Sequence, residues 1–201
     1  YFRKIWHFDP VTSYYATMPG GLQDMLVFGE EAGGNVRTLS LIHATRVLVI
    51  VVALPFIIQG VWDADLSNPP GAPAKDLPVY EMAIMVLCAI AGWQGAKAIG
   101  LFGTGVTLSE VRRDVLAGFG YCGILIVLTV IFVEFIYQSG LAPGLEALLA
   151  FAPGGLAELT VLALIVGADM AFVIAHHVLR LLIVIAGAPI AARWMIGTKR
   201  D

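Results

Sequence analysis

Two stretches of the chain, 134 residues apart, carry one pattern. Pro19 to Arg46 reads PGGLQDMLVFGEEAGGNVRTLSLIHATR, and Pro153 to Arg180 reads PGGLAELTVLALIVGADMAFVIAHHVLR. Without a gap, Asp24 meets Glu158, Gly33 meets Gly167, Asn35 meets Asp169, His43 meets His177, Arg46 meets Arg180 and Pro55 meets Pro189. So many special residues in step mark an internal duplication, and any fold must accommodate it twice. In each copy Pro-Gly-Gly interrupts regular structure, and the acidic residue three places after the second Gly suits the first turn of a short helix of about ten residues. That helix stops at Gly33 or Gly167. Asn35 or Asp169 can cap the next one, and His and Arg follow it at three-residue spacing, on one helix face.

Composition supplies the surroundings. The 201 residues are 59% hydrophobic and 13% charged, with a mean hydropathy of +0.85, far from the balance of a soluble domain. Four runs are long enough to span a bilayer: Val36 to Ile58, Val79 to Phe102, Val115 to Tyr137 and Asp169 to Ala192. The expectation is an all-α, polytopic transmembrane protein with two short re-entrant helices after the Pro-Gly-Gly breaks. Tyr1 to Pro10 reads as an interfacial segment, Gln59 to Pro78 as a loop, and Ser139 to Pro153 as a Gly- and Pro-rich stretch without Lys or Arg. Arg3, Lys4, Arg37, Lys97, Arg112, Arg113, Arg193, Lys199 and Arg200 flank one set of ends, which places both termini in the cytoplasm of an inner membrane; Lys75 is the exception. Three crossings then separate the copies, which makes the repeat inverted. Residues 1–78 form the end of the first repeat plus an extracytoplasmic loop, and 79–201 form the second.

Inverted repeats with broken helices place their binding sites where the breaks meet. Free N–H groups at the starts of half-helices, together with Arg46 and Arg180, favour an anion held by the backbones of Gly20, Gly21, Gly154 and Gly155. Asp24, His43, Glu158 and His177 are candidates for carrying a coupling proton or ion, and the carboxylates could instead pair with the Arg residues. The bland reading, an Arg paired with a carboxylate to lock two helices, stands beside this one. His176, without a counterpart, reads as packing, as do Cys88 and Cys122. Glu134 reads as an interface or pairing residue.

The duplicated PGG, acidic residue, Gly and H-x-x-R pattern resembles the bacterial membrane family known as AbrB, over about Asp9 to Phe56 and Ala150 to Trp194. That resemblance implies a polytopic inner-membrane protein with two such domains, in a family described as regulators of gene expression or ammonia monooxygenases. Against such members this chain looks shortened before Tyr1 and near residues 102–104. His7, His43, His176 and His177 form no ligand cluster for a metal centre, so neither enzyme, metal nor cofactor is expected. A net charge of −3 and the lack of a basic soluble domain argue against nucleic acid. A transporter or exporter of a small anionic metabolite is the expected function, and a membrane sensor with an indirect effect on expression is the alternative. The expected partners are the bilayer and a small anion, with a homo-oligomer or a regulatory partner protein as further candidates.

Overall fold

A computed structural model describes residues 1–64, 66, 78–98 and 107–195. The expectations for Lys75, for the shortening near 102–104 and for Lys199 and Arg200 lie outside these residues. Among the described residues every regular element is a helix: α1 (Phe2–Ile5), α2 (Pro10–Thr17), α3 (Leu22–Glu31), α4 (Val36–Trp62), α5 (Val79–Ala98), α6 (Leu108–Gln138), α7 (Gly144–Phe151), α8 (Leu156–Val166) and α9 (Met170–Met195). Three of them, α4, α6 and α9, are long and apolar enough to cross a membrane. The fourth expected span begins as α5, apolar from Val79 to Gly92, and its last four residues lie outside the described part.

The boundaries follow the local chemistry that the repeat displays. Asn35 caps α4 by accepting from the Thr38 N–H at 3.1 Å. Asp169 accepts from the N–H groups of Ala171 and Phe172 at the start of α9. Gly33 and Gly167 adopt φ of +84° and +69°, conformations that a Cβ would strain, and so let α3 and α8 end and the chain turn. Pro55 and Pro189 sit inside α4 and α9 without ending them, as membrane helices tolerate.

Contacts between elements fix the directions. In the second copy His177 meets Leu149 and Arg180 meets Ala152 and Gly154, so α9 runs parallel to α7. A Cβ on Gly144 would lie 3.3 Å from the Trp62 ring, and one on Gly154 would lie 3.1 Å from Ile50 Cγ2. Hence α4 passes the same helix in the opposite sense. The two copies of the long helix are antiparallel, and the repeat is inverted.

The same reading locates the hairpins. Asn35 N–H donates to Thr12 Oγ1 at 2.7 Å, which puts the start of α2 beside the start of α4. The start of α7 lies instead beside Trp62, at the end of α4. Each short pair, α2–α3 and α7–α8, therefore enters from its own face, breaks at Pro-Gly-Gly and returns.

One further crossing is forced. Arg37 pairs with Glu110 at 3.2 Å, Thr38 Oγ1 donates to Asp114 at 2.8 Å, and a Cβ on Gly118 would lie 3.0 Å from Thr45 Cβ. These contacts make α4 and α6 parallel, so the chain leaving Trp62 must return across the full thickness before Leu108. At about 1.5 Å per residue, the 20 residues of α5 reach about 30 Å, the depth of a hydrocarbon core. Apart from half-buried Glu81, its described side chains, among them Val79, Met85 and Leu87, are exposed, which suits a lipid-facing helix.

Candidate functional site

The central interactions occur twice with identical spacing. His43 Nε2 lies 3.1 Å from the Tyr15 carbonyl oxygen, and His177 Nε2 lies 3.0 Å from that of Leu149, each 28 residues back. Arg46 Nη1 donates to Met18 O at 3.1 Å and Nη2 to Gly20 O at 3.0 Å. Arg180 repeats this with Ala152 O at 2.9 Å and Gly154 O at 3.2 Å. The physical reason lies in the break itself. Where α2 and α7 end inside the protein their last carbonyls have no helical partner, and such orphans are costly away from water. A guanidinium from the neighbouring long helix satisfies one of them, at the C-cap, together with a carbonyl of the Pro-Gly-Gly break itself.

Each His works alongside its Arg. A carbonyl can only accept, so Nε2 carries the proton in both rings and Nδ1 is left as the acceptor. In the second copy Nδ1 lies 2.8 Å from Arg180 Nη2. In the first, the Nδ1 of fully buried His43 and the Nε of Arg46, which is 3% exposed, have no partner.

The two breaks meet at one cavity of about 300 Å³. Its walls include Gly20, Gly21, Asp24 and Arg46 from the first copy and Gly154, Gly155, Glu158, His177 and Arg180 from the second. Of the candidates read from the sequence only His43 is absent from this lining; it stands behind it, clamped to Tyr15. Val47 and Leu181, equivalent positions one residue beyond each Arg, complete the approach of each long helix to the cavity. Larger hollows of about 410 and 580 Å³ have no Arg, Lys or His in their walls.

Electrostatically the helix starts are the distinctive feature. α2, α4 and α6 each receive a side-chain cap, from Asp9, Asn35 and Thr107; α1 and α7 have none, and α3 and α8 begin at Gly21 and Gly155 with none. These are the two starts in the cavity wall. Their first-turn N–H groups and positive dipole ends face the cavity without a cap, with the carboxylates of Asp24 and Glu158 lying close to Gly21 and Gly155. Asp24 and Glu158 form no ion pair with Arg46 or Arg180; among the described residues the paired carboxylates are Glu110 and Asp114.

Sequence reasoning missed α2 and α7, the first arms of the hairpins, which together with their C-caps supply the carbonyls of Tyr15, Met18, Leu149 and Ala152. It read the region containing α7 only as Gly- and Pro-rich, although LEALLAF within it is apolar with helix-forming residues. Extending the repeat upstream would have aligned Tyr15 with Leu149 and Met18 with Ala152. Tyr121 was missed too: its hydroxyl donates to Thr17 O at 2.7 Å, another carbonyl at the end of α2. It lies on α6, which has no repeated signal. Asp114, fully buried on the same helix, accepts from Thr38 and from Arg113. Among the described residues no group of three or more His, Cys, Asp or Glu is placed to hold a metal ion.

Comparison with known proteins bears on the duplication. The chain matches the family described as "Transition state regulatory protein AbrB" twice, over residues 1–106 and 97–196. It is similar to the uncharacterized protein YhjN of Bacillus subtilis (strain 168), at 26% identity over 246 residues, covering 92% of this chain and 64% of that relative. The chain thus spans less than two thirds of the relative's length. The alignment is also longer than the 201 residues present here, so the relative carries residues inside the aligned range that have no counterpart in this chain. No solved structure matches it.

Proposed function

The chain belongs to the AbrB family of membrane proteins, and from that premise we propose that it is a secondary transporter of a small anionic metabolite in the inner membrane. One observation carries the reading: the uncapped starts of α3 and α8, brought from opposite faces, line a single cavity with Arg46 and Arg180. Unsatisfied N–H groups, helix dipoles and guanidinium charge all point the same way, toward an oxyanion such as a carboxylate. The inverted repeat adds the means of alternating access, since a site shared by two oppositely oriented halves can be offered to either side by rocking one against the other. The basic residues that flank one set of helix ends support a cytoplasmic side for both termini of the chain.

Anion flux into proteoliposomes tests this. A panel of labelled carboxylates and inorganic oxyanions is expected to yield at least one that is accumulated, with flux falling at least tenfold in Arg46→Gln and Arg180→Gln protein that remains monodisperse. Binding without flux in any member of the panel would contradict transport and favour a sensor acting through a partner, a role consistent with the word "regulatory" in the family's description. Neither binding nor flux would contradict an anion site altogether.

A further inference from the structure

We infer that Asp24 and Glu158 are the proton-carrying pair of this site: an anion enters the cavity together with one proton, which one of these carboxylates accepts. The inference rests on the anion reading above and adds its coupling. Four features of the cavity lead to it. The formal charges of Arg46, Arg180, Asp24 and Glu158, all in the same wall, cancel, so a bare anion would leave the cavity with a net negative charge. Both guanidiniums are committed to backbone carbonyls, and among the described residues neither carboxylate is ion-paired. Each carboxylate is folded over its own helix start: a Cβ on Gly21 would lie 2.7 Å from Asp24 Oδ2, and on Gly155 the nearest atom would be Glu158 Oε2. They therefore lie where an incoming anion would have to sit. Finally, Arg46, a wall residue of the cavity, keeps a buried Nε that has no partner among the described residues.

The remaining titratable group in the wall is His177, on α9. Its Nε2–H is held by Leu149 O and its Nδ1 faces Arg180, so neither nitrogen is free for a further proton. His43 is excluded from the cavity. The carboxylates remain. An anion beside them raises the free energy of their ionised form, which draws a proton from water on the side of entry onto a carboxylate oxygen, converting COO⁻ to COOH. Anion and proton then cross as a neutral load, and both leave on the other side.

The test is isothermal titration of the detergent-solubilised chain with acetate and with sulfate between pH 8 and pH 6, in two buffers of different ionisation enthalpy, so that protons are counted directly. The expected result is close to one proton taken up per anion, with affinity tightening toward about tenfold per pH unit lowered. In the Asp24→Asn/Glu158→Gln double variant binding should persist at pH 8 with no proton uptake and no pH slope. Single substitutions would identify the carrier, as the variant that abolishes uptake. Wild-type binding without proton uptake, or an unchanged pH slope in the double variant, would overturn the coupling while leaving the anion site standing. No binding of either anion by the wild type would overturn both. Carboxylates that merely support the fold would lower the thermal stability of the variants and leave the proton count unchanged, which also contradicts the inference.

Discussion

Replacing Arg46 by alanine is expected to destabilise the folded chain by about 3–6 kcal/mol, since it removes two hydrogen bonds from a charged donor at about 1.5–3 kcal/mol each. The acceptors left behind, Met18 O and Gly20 O, lie at the break between α2 and α3, and Met18 stands outside the lining of the cavity, where water is not at hand to replace the guanidinium. Such a loss is a large part of the stability of an ordinary domain. Arg180→Ala should show the same effect in weaker form. Its carbonyl partners are equivalent, but the side chain is only half-buried, against 3% exposure for Arg46. Lysine should restore part of the loss at either position, because an ammonium can donate but cannot span two carbonyls in the planar geometry of a guanidinium. Unfolding monitored by size exclusion after graded heating measures this directly. Alanine variants as stable as the wild type would mean that the carbonyls find other partners and that the Arg residues serve only the ligand.

A second substitution should separate stability from function. Aspartate in place of Gly21 supplies the cap that α3 lacks, with its carboxylate accepting from the N–H of Gln23 or Asp24. The backbone there, φ −61° and ψ 146°, is open to any residue, and the group closest to the new Cβ is the mobile tip of Asp24. Stability should therefore stay within about 1 kcal/mol of the wild type. Anion flux should fall by about 100-fold or more, because a fixed negative charge some 4 Å from the ligand is worth about 4 kcal/mol of repulsion at an effective dielectric near 20. Gly155→Asp is the matched experiment in the second copy, where φ −79° and ψ 152° are equally permissive. If either variant transports normally, the helix start it caps is not part of the anion path.

Much of this arrangement was legible before any coordinates. A short helix after each Pro-Gly-Gly, its end at Gly33 or Gly167, the caps at Asn35 and Asp169 and the inversion of the copies all appear where residue chemistry placed them, because each is set by local backbone requirements written twice. The grouping of Gly20, Gly21, Asp24 and Arg46 with Gly154, Gly155, Glu158, His177 and Arg180 also followed from the repeat, since inverted hairpins that break at equal depth must meet. What sequence could not supply was the partner of each side chain. A pairing between Arg and carboxylate is as natural from composition as the one found between Arg and a carbonyl 26 or 28 residues back. The choice depends on where the helix before the break ends. That helix is only eight residues long, too short for a periodic signal to stand out. The roles of Tyr121 and Asp114 were hidden for another reason: α6 is not duplicated, so nothing singled out its polar residues from those of any long apolar helix.

The bonds that recur at the same spacing in the two copies also constrain how the site can work. Arg and His in each long helix hold the first arm of their own hairpin, so each repeat is a preformed unit of long helix, arm and half-helix. The groups that line the cavity lie at the seam between the units. Motion of one unit against the other would change access to the cavity without disturbing the bonds that satisfy the breaks, the behaviour expected of a rocking repeat.

The most direct test of a shared anion site is protection of thiols placed on both of its walls. With Cys88 and Cys122 replaced by alanine, Leu22→Cys and Leu156→Cys each put a thiol at the first residue of one half-helix, in the lining of the cavity. The account predicts that a small hydrophilic thiol reagent modifies both, and that acetate or another transported anion slows both with the same half-maximal concentration. Protection of one position alone, or different concentrations for the two, would contradict a single site built by both repeats.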